Sequence, residues 1–468
     1  MEKKENTILS DKYDDFVKDK SSISSQLDTY DELVPDVYKG LKAPVSSWPV
    51  IINQNKKEVL KKLCITIPKL LHKIPELYFN NNLKKISEFY FGGDTDKGQF
   101  SLLCHNKQEE VSSRLDLIDT EDGFKILEVN MGSSLGGMEF QNFERLMSKL
   151  HPILSPDNKK FIHRKSQTIY VEFLINKIEE YVSSSDRELG IFFIDGTPGE
   201  YEARNLVKKF FNDLLEKELS KRGKTGMTYM DEVSNLKYIN DGLFYKGKRI
   251  HAILAIDYSA NDLSLDVFRA LLANKIYFPD HLGTMFMRDK RNLVLLRKLA
   301  IANKFSEEDN ETILKYIPWT EIITDDIIQY KGKDYSMPAL LADKREDFVI
   351  KIADGLQGDD VYVGRFHEQD AWEKIIQEVI KKKIFVVQEF LESINVYAPD
   401  IRNEWVNHEL VWGSFGFGKN YGGSWIRMVS QEKNLGVINS AKGAVGALVY
   451  EALPQKIAPQ KRFSITKK

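Results

Sequence analysis

Residues 114–130, RLDLIDTEDGFKILEVN, carry two strand-like runs, 114–118 and 124–130, around a polar turn at 119–123 that ends in Asp-Gly. An Asp-Gly pair between alternating apolar runs is a hairpin signal. Side chains alternate across a strand, so Arg114 shares a face with Asp116, and Glu128 with Asn130. A carboxylate and a carboxamide therefore end one strand side by side. A purely structural strand more often carries Val or Thr there, although an exposed strand end with polar residues is the ordinary alternative.

Outward from this hairpin, residues 1–30 are rich in Lys, Asp and Ser and read as a loosely held arm. Helical spacing runs over 56–77 and 140–150. A second unit opens at Gly190: the strand IFFIDG, a turn with Gly196, Pro198 and Gly199, then a helix whose apolar face begins at Tyr201 and Leu206. GTPG lacks the GxGxxG spacing of a dinucleotide site and reads as an ordinary β-to-α connection. The run YKGKRIHAILAID and a helix over 265–273 continue the alternation, which predicts a parallel α/β domain over roughly 165–280. From about 285 the pattern resumes with a strand at 348–352, a loop carrying Gly355 and Gly358, and a return strand at 361–363. A helical stripe from Trp372 to Ile380 and the strand IFVVQEFL follow.

The chain has 468 residues, about three domains' worth. Hydrophobic residues at 42% and charged residues at 29% are ordinary for a folded globular protein. Lys and Arg total 67 against 69 Asp and Glu, so no global basic field exists to hold a nucleic-acid backbone. Cys64 and Cys104 lack zinc-ligand spacing and read as free thiols of a reducing compartment. The charged start MEKKENTILSDKYDDF has no signal-peptide core, and no run approaches the ~18 apolar residues of a membrane span. The expected location is the cytoplasm, with no nucleic-acid or membrane partner.

FVIKIADGLQGDDVYVG, residues 348–364, sets Lys351 in a strand that enters a glycine loop. A half-buried lysine needs an anionic partner, and glycines let backbone N–H groups approach phosphate oxygens. Together they point to a lid over a nucleoside triphosphate. VVQEFL then supplies a strand and connector whose backbone could bond an adenine edge.

In this order the parts resemble the ATP-grasp superfamily, in its circularly permuted branch with the eukaryotic-type glutathione synthetases and the glutathionylspermidine synthetases. The resemblance covers most of 110–150 and 285–450. It rests on RLDL with LEVNMGSSLGGM, MRDKRNLVLL with YIPWTEII, the lid segment, VVQEFLE, HELVWGSFGFG and IRMVSQEKNLGVINSAKGAVG. Carried over by motif, Glu128 and Asn130 are Mg²⁺ ligands, and their hard oxygens suit that ion. Lys290 and Lys351 are the two ATP lysines, with Gly355 and Gly358 in the lid. Gln388, Glu389 and Leu391 belong to the adenine hinge, and Glu409 lies near the nucleotide. Arg114 faces the transferring phosphoryl group, Asp116, Ser133 and Ser134 lie on the substrate side, and Arg427 holds a substrate carboxylate. Asp354 is a further metal ligand, although the loop is one residue shorter than the family's and has Asp in place of Glu.

The fold this implies is α/β (α+β in detail), a permuted ATP-grasp fold with an inserted parallel α/β substrate domain. The expected divisions are 1–30 for the arm, 31–164 with the metal-binding strand, 165–284 for the insertion, and 285–468 for the nucleotide-binding part. The function implied is an ATP- and Mg²⁺-dependent ligase that joins a carboxylate to an amine through an acyl phosphate, releasing ADP and phosphate. Its substrates would be amino acids, peptides or polyamines, and a homodimer is compatible. Two other readings stay open: a serine hydrolase using Gly132-Ser133-Ser134-Leu135-Gly136 as a nucleophile elbow with His408 as partner, and a nucleotide-binding protein without catalysis.

Overall fold

A computed structural model describes residues 23–107, 110–182, 186–195, 201–257, 264–355, 360–433, 436–439 and 443–454. Gly358 and the glycine turn read at 196–199 lie outside the described residues. Among the described residues the largest sheet has eight strands. Six lie in the order Val50–Ile52, Val445–Ala452, Asn420–Ser430, Trp405–Phe417, Ser112–Thr120, Gly123–Met131. Val396–Pro399 pairs with Trp405–Phe417, and Phe161–His163 with Val445–Ala452.

The hairpin of residues 114–130 forms the sheet's edge. Glu121 and Asp122 make the turn, and Gly123 follows at φ 90°, where a Cβ would be strained. Arg114 stands opposite Asn130 and Asp116 opposite Glu128, so four polar side chains share one face. A bulge after Asp116 leaves Leu127 outside the register. On the other face, Leu115 and Leu117 are fully buried in the main core. The helix Gln54–Leu71 contributes Leu60, Leu63, Cys64 and Ile67 to that core, at the spacing of one helix face. Its start is fixed by Asn53, whose side chain accepts from the Lys56 N–H at 2.9 Å.

Three parallel strands, Ala252–Asp257, Glu188–Asp195 and Thr225–Asp231, form a second sheet, and the helix Tyr201–Ser220 connects the last two. The run YKGKRIHAILAID, read as strands of the parallel domain, divides between two sheets. Lys246 and Gly247 both have positive φ and close a hairpin between Gly242–Tyr245 and Lys248–Ile250. Only Ala252–Asp257 joins the parallel sheet.

A third sheet is antiparallel, in the order Thr320–Ile322, Phe385–Glu389, Phe348–Ile352, Val361–Val363. The helix Gln369–Lys382 lays Trp372, Ile376 and Val379 onto it and stops where Lys383 turns left-handed at φ 52°. This sheet has its own core, with Trp372 fully buried and its indole N–H donating to the Leu341 carbonyl at 2.8 Å. Residues 23–30, within the stretch read as an arm, are held in place: the Leu27 N–H donates to Val45, and the Ser25 N–H to Asn403. Among the described residues no helix is long and apolar enough to cross a membrane. Cys64 and Cys104 are free and buried.

Candidate functional site

The polar face of the hairpin and the antiparallel sheet line a cavity of about 150 Å³. Ile118, Leu127, Val349, Val361, Leu391 and Val411 give it apolar walls. Asp116, Glu128, Lys351, Gln388, Glu389, Glu409 and Arg427 give it polar ones. An apolar slot with a few convergent charges is the usual build of a cofactor site. Glu128 also borders a second space, of only about 10 Å³, with Asn130, Arg288, Lys290, Asp354 and Gly355.

Lys351 reaches Gln388 Oε1 at 2.7 Å and the carbonyl of the bulged Leu127 at 3.4 Å. Among the described residues its hydrogen-bond partners are thus one neutral amide and one carbonyl, with no carboxylate in contact. Burial pulls its pKa down to about 8, while Glu128 raises it and Lys290 lowers it further. Lys290 sits just before the helix Arg291–Ile301, where its N–H donates to the Ala353 carbonyl. Its ammonium donates to the Gly355 carbonyl at 2.7 Å and lies 3.5 Å from Glu128 Oε2. Both lysines, 61 positions apart in sequence, therefore flank Glu128.

Asp116 is almost fully buried and binds two arginines. Arg114 grips it with Nε at 2.7 Å and Nη2 at 3.1 Å, and Arg427 Nη2 meets the same carboxylate at 2.5 Å. Burial alone would raise the Asp116 carboxyl, but the two guanidiniums outweigh it and hold it well below the usual carboxylate range. Arg114 Nη1 donates to the Gly136 carbonyl at 2.9 Å, which orients the guanidinium toward the 133–136 loop. The charge of the trio is +1, in a site that an anion could enter.

Ser133 does not present a free hydroxyl. Its Oγ donates to Asp280 Oδ2 at 2.6 Å, its N–H donates to Asp280 Oδ1 at 2.7 Å, and the Ala255 N–H donates to the same carboxylate at 2.9 Å. Asp280 thereby ties the end of the 112–131 hairpin to the parallel sheet, and burial raises its pKa. Gly132, at φ +116°, is required here, since a Cβ would lie 2.4 Å from Asp280 Oδ1. Ser134 is exposed, and the chain beyond it passes through the 3₁₀ turn Met138–Phe143 before the helix Glu144–Leu150. His408 is buried with Nδ1 on the Val406 carbonyl at 3.0 Å.

Glu389, at the end of the strand Phe385–Glu389, accepts from the Tyr330 hydroxyl at 2.9 Å and pairs with Lys331 at 3.1 Å, both from the turn of the hairpin Ile327–Tyr330 and Lys333–Ser336. Its N–H donates to Trp319 and that of Phe390 to Asp347, which fixes the connector path.

Glu128 and Asn130 suit a hard cation: Asn130 Nδ2 lies 3.3 Å from Glu128 Oε1, so the two side-chain ends adjoin. Among the described residues no three His, Cys, Asp or Glu side chains converge as a metal cage. Mg²⁺ commonly takes one or two protein carboxylates and completes its shell with phosphates and water, and this donor set fits that habit. Asp354 borders the same space but is two-thirds exposed, with Oδ1 3.7 Å from Arg288 Nε.

No family model matches the sequence, nor does any curated protein. Among solved structures, a glutathione synthetase-like effector from Globodera pallida, in its apo form, superposes with a TM-score of 0.57 at 13% identity, covering 88% of this chain and 90% of its own. The chain has the ATP-grasp fold. Looser likenesses are a γ-glutamylcysteine synthetase-like protein from Methylobacillus flagellatus (TM-score 0.40, 12% identity, 83% and 88% covered) and a D-alanyl-alanine synthetase A from Vibrio cholerae (0.26, 11%, 49% and 68%). Within this ATP-grasp frame the sequence pointed to Lys290 and Lys351 but not to Arg288, Asp280, Tyr330 or Lys331. Arg288 had a local signal, a second cation two positions before Lys290. Asp280 had none, since its partner Ser133 is 147 residues away.

Proposed function

We propose that this chain is an ATP- and Mg²⁺-dependent carboxylate–amine ligase that works through an acyl phosphate and releases ADP and phosphate. The observation that carries this reading is the convergence on Glu128: Asn130 adjoins it, Lys290 and Lys351 flank it, and an apolar slot opens beside it. That is what a triphosphate needs, positive charge at one end and an apolar wall for the base at the other. Glu128 and Asn130 would hold Mg²⁺, with Asp354 as a third donor, and the ion would neutralise the β- and γ-phosphates. The order of parts, with this strand ahead of both lysines, supports the permuted branch of the fold.

The chemistry requires little from the protein beyond position and charge. Lys290 and Lys351 offset the charge of the triphosphate. Arg114, held in place by Asp116 and Gly136, faces the acid as its oxygen attacks the γ-phosphorus. The bond from that phosphorus to the bridging oxygen breaks, and ADP keeps the electron pair. The amine then attacks the acyl carbon, phosphate departs and the nitrogen gives up a proton, which forms the amide. Arg427 orients a substrate carboxylate. Substrates are small carboxylates and amines of the amino-acid, peptide or polyamine classes. The test is a screen of pooled acids with pooled amines for substrate-stimulated ADP release. Pairs that raise the release and yield an amide are expected; absence of nucleotide binding would overturn the reading.

A further inference from the structure

MRDKR, residues 287–291, places four charges in a row, and the fold treats them in two ways. Asp289 and Arg291 are buried and satisfy each other, Nη2 to Oδ2 at 2.6 Å, with the Arg291 guanidinium 4.5 Å from the Phe89 ring centroid. Arg288 and Lys290 instead border the narrow space with Glu128, Asn130 and Asp354. Arg288 follows the helix Leu282–Met287, so a rigid element sets its position. Its Nε is buried and has no hydrogen-bond acceptor among the described residues. The nearest anion, Asp354 Oδ1 at 3.7 Å, is beyond hydrogen-bond reach.

A buried guanidinium N–H without an acceptor is costly, and it lies beside a site built for phosphate. We infer that Arg288 is a third cationic contact of the polyphosphate, made to the terminal phosphoryl group, and that Asp354 only holds it in waiting. This rests on the ligase reading above. The space now carries two cations and two carboxylates, so it is balanced until an anion arrives. If Asp354 were drawn to Mg²⁺, Arg288 would lose the nearest carboxylate that the described residues offer it, and a terminal phosphate would supply the missing acceptor. A guanidinium suits this task because its planar fork can meet two phosphate oxygens at once.

The test is direct binding, with Mg²⁺ present, of ADP and of the non-hydrolysable β,γ-imido analogue of ATP, followed by fluorescence or calorimetry. Arg288→Ala should weaken the imido triphosphate by about ten-fold or more, the worth of a charge-assisted bond, and leave ADP within about two-fold. Arg288→Lys should recover much of the triphosphate affinity, which also guards against a variant that fails through misfolding. Equal weakening of both nucleotides, or of neither, would overturn the assignment. Wild-type protein that binds neither nucleotide would overturn the ligase reading, and the role of Arg288 with it.

Discussion

Asp116 serves two arginines at once, and the consequences of removing its charge differ from those of removing an exposed acid. In Asp116→Asn, Arg114 and Arg427 would face each other in a buried site without their shared counter-charge. Breaking one side of a buried ion pair typically costs about 3–5 kcal/mol, so denaturant unfolding should show a loss of that order. A loss within experimental error would mean that the arginines find other partners. Lys351 gives a second test at this scale. Its folded pKa of about 8 lies below the ordinary 10.5, so between those values the unfolded chain holds more protons and stability should rise with pH across that window. Triphosphate binding needs the ammonium charged, and binding near pH 8–9 should therefore take up a proton. Calorimetry in buffers of differing ionisation enthalpy reads that uptake, and Lys351→Arg, charged at every such pH, should abolish it. Buffer-independent heats in the wild type would remove Lys351 from the phosphates.

The antiparallel sheet illustrates what an element can and cannot disclose from its sequence. Phe348–Ile352 and Val361–Val363 fall where strand patterning and glycines place them, and Gln369–Lys382 follows the stripe of Trp372, Ile375, Ile376 and Val379. These are local signals, and local signals survive. The run 245–257 was harder, because alternation says that a strand exists but not which sheet takes it; the positive φ at Lys246 and Gly247 sends part of it into a separate hairpin. The bulge after Asp116, which brings the two polar pairs onto one face, is not announced by the sequence, whereas Arg114 with Asp116 and Glu128 with Asn130 were each legible as a same-face pair because side chains alternate along a strand. Asp280 and Arg288 were not, since their roles depend on partners 147 and 66 positions away. The separate core of this sheet also allows a prediction. Trp372→Ala should cost about 3–5 kcal/mol locally and loosen this element first. Hydrogen exchange should accelerate over 348–352 and 385–389, with the Ser112–Thr120 strand little changed, and nucleotide affinity should fall. Equal acceleration in both sheets would show that they unfold as one unit.

At the scale of the whole molecule, the candidate site is divided between three sheets, and on the proposed ligase reading that division sets which bond of the nucleotide would be attacked. The antiparallel sheet supplies Gln388 and Glu389, the proposed hinge, and the cation Lys351. The large sheet supplies Glu128, Asn130 and the Arg114–Asp116–Arg427 trio. The parallel sheet anchors the loop beyond Asn130 through Asp280. On the proposed reading, the metal donors Glu128 and Asn130, both lysines and Arg288 would gather where the triphosphate terminates, and Arg114 would approach from the acid's side. Charge placed there would stabilise ADP as leaving group and expose the γ-phosphorus; an adenylating enzyme would concentrate its charge on the α-phosphate and let pyrophosphate depart. Turnover should therefore yield ADP and orthophosphate. With the acid labelled in its carboxylate by ¹⁸O, one label should move into phosphate, and hydroxylamine in place of the amine should trap a hydroxamate. Label recovered in AMP would show attack at the α-phosphorus, which this distribution of charge does not support.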